Sequence, residues 1–91
     1  VMSEKEFFEK NLVLATEFDR YVLEHPETAE QIPLNAQIVL LPEDDPELCQ
    51  KNREVAAAQR EPCQPVVYVR IEKLAPQLSR IINPQLTVEA A

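Results

Sequence analysis

The chain contains no glycine. Every backbone position must therefore avoid, or bear at a steric cost, the left-handed conformations that glycine takes freely. Several classes of function drop out with it. Phosphate cradles built on glycine, G-x-G-x-x-G and the Walker loop among them, have no residues from which to form. The nucleophile elbow of α/β hydrolases is excluded for the same reason. Punctuation falls to eight prolines: Pro26, Pro33, Pro42, Pro46, Pro62, Pro65, Pro76 and Pro84. Proline ends helices and cannot donate to a central strand, so these positions mark boundaries.

The segments between them have clear periods. A long helix is predicted from Glu4 to Glu24. Ser3 and Glu6 form S-x-x-E, a capping box, with Met2 and Phe7 at the staple positions. Phe7, Phe8, Leu14, Ala15, Phe18, Tyr21 and Val22 fall on one side at 100° per residue. Glu6, Glu9, Glu17, Arg20 and Glu24 fall on the other. The helix stops at His25 because a residue before proline is pushed out of the α region. PETAEQIP adds one short turn. AQIVLL, residues 36–41, is a continuous apolar run, which reads as a strand covered on both faces. Asp45 then caps a second helix that runs to about Glu61, with Pro46 at its first position and Glu47 in its first turn. Its inward side is Leu48, Cys49, Asn52, Val55, Ala56 and Gln59. PVVYVRIEK is the clearest strand: Val67, Val69 and Ile71 point one way, Val66, Tyr68 and Arg70 the other. Beyond it, PQLSRII reads as a short helix and QLTVE as a short strand; otherwise residues 76–91 are a tail.

Ninety-one residues make one domain, taken as residues 1–75 with residues 76–91 as an extension. No run of about 18 apolar residues offers a membrane span. VMSEKEFFEK lacks the apolar middle of a signal peptide, so a cytoplasmic protein is expected. The net charge is −7, which repels nucleic acid. If residues 49–61 are helical, Cys49 and Cys63 lie roughly 18 Å apart along the axis, too far for a disulfide. Both read as free thiols in a reducing compartment.

The order is α-β-α-β, an α/β fold. Twenty-odd residues between the strands fit a parallel βαβ crossover. Two strands alone are marginal in water. The long helix extends about 32 Å, while a six-residue strand covers about 20 Å, so part of its apolar side overhangs the sheet. A second copy of the chain is the simplest cover. A homodimer is expected, with Phe7, Asn11, Leu14 and Phe18 as the interface. A buried Asn11 fixes register between paired helices, or it bonds a neighbouring backbone.

EKEFFEKN, EFDRYVLEHPE, IVLLPEDDPEL and PVVYVRI together resemble a family of small bacterial and archaeal proteins known only as a domain of unknown function. The resemblance covers about residues 3–73, and LPEDDPEL and YVLEHPE are its most specific parts. It implies a compact α/β unit and brings no activity, cofactor or catalytic residue with it.

In open parallel sheets, ligands bind beyond the carboxyl ends of the strands. Glu43, Asp44, Asp45, Arg70 and Glu72 fall at that edge. The carboxylates could hold Mg²⁺ or Ca²⁺, and Arg70 a carboxylate or phosphate. The plainer account is local: Asp45 caps the helix, Glu47 meets its dipole, and Arg70 ties down the loop. His25 suits a cation at a helix C-terminus, and one histidine cannot build a multi-histidine zinc site. Cys49 reads as a small buried apolar residue and Cys63 as a loop thiol with no adjacent cation to activate it. Tyr68 reads as core. No catalytic set and no cofactor emerge. The expectation is a non-enzymatic protein acting through protein contacts, regulatory or accessory. Its alternative is a ligand- or metal-binding module using the acidic loop. A third reading, the acidic half of a two-protein pair, rests on size and charge.

Overall fold

The computed structural model describes residues 2–89; residues 1, 90 and 91 of the two expected segments lie outside the described residues. Helix α1 spans Glu4–Glu24, α2 Pro26–Glu30, and α3 Pro46–Gln59; the strands are β1 Gln37–Pro42 and β2 Val66–Ile71. The strands pair in parallel, in register from Gln37 opposite Val66 to Pro42 opposite Ile71. The α-β-α-β order and the βαβ unit are as expected, with α2 as the short turn.

Local chemistry sets the ends of α1. The Ser3 hydroxyl accepts the Glu6 N–H at 3.1 Å, filling one of the orphan donors of a first turn. Met2 is buried and clusters with Leu14 and Leu48, and Phe7 packs against them. That is the expected staple, extended to α3. At the other end His25 leaves the helix at φ −130°, just before Pro26.

Two turns launch the strands. The Ala36 N–H bonds the Pro33 carbonyl, and the Gln64 N–H bonds the Glu61 carbonyl. The third residue of each turn takes positive φ: Asn35 at 61° and Cys63 at 63°. A chain with glycine would place it there. Asparagine bears this region tolerably, and cysteine does so only at a cost. Gln64 Nε2 donates to the Asn35 carbonyl at 3.1 Å, and the Gln37 N–H reaches the Pro65 carbonyl at 2.8 Å. The turns are thus tied together, and the strands start level.

Side chains alternate about the sheet. Gln37, Val39 and Leu41 share a face with Val66, Tyr68 and Arg70. Helix α3 serves this side: Gln37 Nε2 donates to the Ala56 carbonyl at 2.9 Å, and Arg53 lies over the Tyr68 ring at 5.4 Å. Val39 and Leu41 are buried beneath it. On the other face Leu40 and Ile71 pack into the Met2, Leu14 and Leu48 cluster. So β1 is covered from both sides, and β2 much less so.

Backbone groups of one strand residue point to the same side, and neighbours alternate. Gln37 and Glu43 donate to Pro65 and Ile71, so odd-numbered residues of β1 face β2 and even-numbered ones face outward. Asn52 Nδ2 donates to the outward Leu40 carbonyl at 2.8 Å, blunting that edge. By the same alternation Val66, Tyr68 and Arg70 turn their backbone groups to the outer edge of β2.

Three expectations are corrected. Phe8 is 67% exposed, Tyr21 51%, and Ala15 also faces solvent; the inward line of α1 is the narrower Phe7, Asn11, Leu14, Phe18 and Val22, of which Leu14 is buried and the others half-buried. Tyr68 is 54% exposed rather than core, because α3 reaches it only with Arg53. Residues 72–89 form neither the short helix nor the short strand. A seven-residue helix has too few hydrogen bonds to hold itself without packing. This segment gives the molecule a long axis of 69 Å and a radius of gyration of 18.5 Å, against about 12 Å for a compact chain of this length.

Candidate functional site

The carboxyl ends of the strands open onto two adjoining hollows. One, of 480 Å³, lies between the C-terminal half of α1 and the end of β2; Leu14, Phe18, Tyr21, Ile71 and Leu74 give it apolar walls. Glu17, Arg20, Glu24, Arg70 and Lys73 stand on its rim, with Arg20 donating to Glu17 at 2.9 Å. The other, of 330 Å³, lies between α1 and the start of α3, with Val13, Pro42 and Leu48 below and Lys10, Asp44 and Asp45 around it. Leu14 and Leu74 border both. Together they make one apolar trough with a charged rim, at the edge where an open parallel sheet receives ligands.

The acidic corner divides into separate jobs. Asp45 Oδ1 accepts the Leu48 N–H at 3.2 Å, so Asp45 is the cap of α3. Its other oxygen accepts Lys10 Nζ at 3.0 Å. The Lys10 ammonium, then the Leu48 N–H, hold the Asp45 carboxyl below its ordinary value. Asp45, by hydrogen bond and charge, raises Lys10, with Glu6 and Glu47 adding to it. Glu47 Oε1 accepts the Met2 backbone N–H at 2.6 Å. Glu43 bonds through its backbone N–H to Ile71, and its side chain, like those of Asp44 and Glu72, faces solvent. Arg70 lines the α1 side of the trough, while Asp44 and Asp45 line the other hollow. The five expected residues share an edge without converging on one point. Among the described residues no group of three or more His, Cys, Asp or Glu side chains is placed to hold a metal ion.

The expected dimer line on α1 is engaged within the chain. Leu14 is 5% exposed, with Phe7 packed beside it against Met2 and Leu48, and Phe18 lines the trough. Asn11 and Asn52 exchange two hydrogen bonds, 3.0 Å and 2.9 Å. Asn11 therefore bonds a side chain of α3 rather than a neighbouring backbone. Phe7, Asn11 and Leu14 thus make contacts within the chain, while Phe18 stands half-buried in the wall of the trough.

His25 Nδ1 donates to the Tyr21 carbonyl at 3.0 Å and stacks on the Tyr21 ring at 4.0 Å, closing the end of α1. Cys49 is half-buried and Cys63 exposed, both as free thiols. The Arg53–Tyr68 pair and Lys51, 4.8 Å above the Phe7 ring, went unforeseen. The Asn11–Asn52 pair left one readable trace: each residue sits on the apolar side of its helix.

A parallel βαβ unit braced by one long helix, with an apolar trough at its carboxyl edge, is the class of protein that this geometry defines. The chain belongs to a family of unknown function, DUF5647, whose model matches residues 6–84. That match continues beyond Lys73 through Pro84 and so takes in Leu78, Ile81 and Ile82. No curated protein and no solved structure matches the chain.

Proposed function

We propose that this is a small non-enzymatic protein that works through protein contacts, first of all with a second copy of itself. The carrying observation is its surface. The accessible area is 7956 Å², whereas a compact monomer of 10.4 kDa exposes about 5,400 Å². The excess is about 2,500 Å², and the fully exposed residues 72–89 contribute to it. Leu12, Val13, Leu23, Leu34, Leu78, Ile81, Ile82, Leu86 and Val88 are all more than half exposed. Large apolar side chains exposed in such number favour association, and hiding about 800 Å² per partner makes a standard interface. Ligand binding at Glu43, Asp44, Asp45, Arg70 and Glu72 is the weaker reading, since Asp45 already has two partners.

No helix among the described residues is long and apolar enough to cross a membrane. The two free thiols support a reducing, cytoplasmic setting. The test is mass in solution by light scattering: about 21 kDa at micromolar concentration is expected, twice the 10.4 kDa of one chain. A mass near that of one chain overturns self-association.

A further inference from the structure

We propose that residues 74–88 are an exchanged arm: in a two-fold dimer each copy lays its arm in the partner's trough, between α1 and the end of β2. The proposal rests on the self-association just argued and names the surface that performs it.

The composition of the arm comes first. Leu78 is 78% exposed, Ile81 72%, Ile82 85%, and Leu86 and Val88 88% each. Segments that remain solvated carry few such residues. Leu78, Ile81 and Ile82 follow i, i+3, i+4, a stripe for docking one side of a turn of helix. The family model continues through this stripe to Pro84, so the part of the arm from Leu74 to Pro84 belongs to the pattern of the family.

Charge adds a weak, general attraction. Residues 74–88 hold one charge, Arg80, and no acid, while residues 1–73 hold fifteen acids against eight bases, a net −7. An arm of +1 is drawn to a body of −7; on the rim of the trough Glu17 is bonded to Arg20, which leaves Glu24 for Arg80 to meet.

The seat lies where the arm begins. Leu74 is a wall of the trough and is 40% exposed, so the arm leaves from the site it is to fill. Pro76 follows at once. It fixes its own φ and holds Ala75 extended, and residues 72–89 are exposed throughout rather than folded back onto the body. Two identical troughs then exchange two identical arms, the self-complementary contact that a two-fold axis demands. The area hidden comes from the excess surface that the arm itself creates.

Two variants and the unaltered chain test this, by light scattering across a concentration series with circular dichroism as the check of fold. Ile81→Asp with Ile82→Asp alters only exposed arm positions. Tyr21→Asp alters the trough at a side chain that is itself 51% exposed. The expected result is a dimer for the unaltered chain, and for both variants a dissociation constant raised at least about a hundredfold with the helical signal unchanged. If the unaltered chain is dimeric and the arm variant is equally so, the arm is not the link, though self-association stands. If the arm variant dissociates and Tyr21→Asp does not, the trough is not the seat and the proposal fails. A monomeric unaltered chain overturns both the arm and the reading beneath it.

Discussion

The Asp45 carboxylate accepts a helix amide with one oxygen and an ammonium with the other, and the two roles can be separated. Asparagine caps a helix as well as aspartate does. Asp45→Asn should therefore keep α3 capped and lose only the ionic part, whereas Asp45→Ala should also lose about 1 kcal/mol of cap. The pH dependence follows from the direction of the shifts. Asp45 titrates below its ordinary 3.8 in the folded chain, so its stabilisation is present above that pH and is lost as pH falls through the lower folded value. Lys10 titrates above 10.5, so its contribution is present below that pH and is lost as pH rises through the higher folded value. Urea midpoints at neutral pH and near pH 3 should thus converge in Asp45→Asn relative to the unaltered chain. Cys63 offers the opposite case, a residue held at φ 63° where glycine is at ease. Cys63→Gly should raise the urea midpoint by an amount worth about 0.5–1 kcal/mol, the relief of strain exceeding the added freedom of the unfolded chain.

Helix α1 has one buried residue, Leu14, in 21, and is held to α3 by the Asn11–Asn52 pair and the Lys10–Asp45 bridge. Asn52 also satisfies the Leu40 carbonyl, so one amide joins α1, α3 and β1. Asn52→Ala leaves that carbonyl and the Asn11 amide without partners, and should cost about 1–3 kcal/mol. In a double-mutant cycle with Asn11→Ala the two should couple by at least about 0.5 kcal/mol. Native-state hydrogen exchange should show α1 amides opening well before those of β1 and α3. The ends of α1 were legible in the sequence because their signals are local: Ser3 and Glu6 at one end, His25 and Pro26 at the other. The strands were legible from branched residues and alternation, and their parallel pairing from the length of the crossover. The phase of α1 was not. Phe7 and Phe8 lie 100° apart on one apolar arc, and only the position of Leu48 and Leu40 selects Phe7 for burial. The acidic corner was legible as a cap but not as a partner of Lys10, 35 residues away in the chain. No local pattern records a contact across that distance.

At the scale of the molecule, one compact unit of two strands and two long helices carries an arm that lengthens it to 69 Å. What the unit leaves bare is the outer margin of β2, with Val66, Tyr68 and Arg70 presenting their backbone groups to water. Asn52 dulls the margin of β1; at β2 Arg70 stands on the margin itself and Arg53 lies over the Tyr68 ring. A margin of this kind is a template on which another chain can add, rung upon rung, into a cross-β stack. The net charge of −7 opposes such stacking, because like-charged molecules repel and ions screen that repulsion within about 10 Å at 0.1 M salt. Warmed samples should stay clear in dilute buffer and form thioflavin-positive filaments as sodium chloride rises. Tyr68→Lys should delay their onset, and ionic strength should then decide between a dispersed colloid and a fibre.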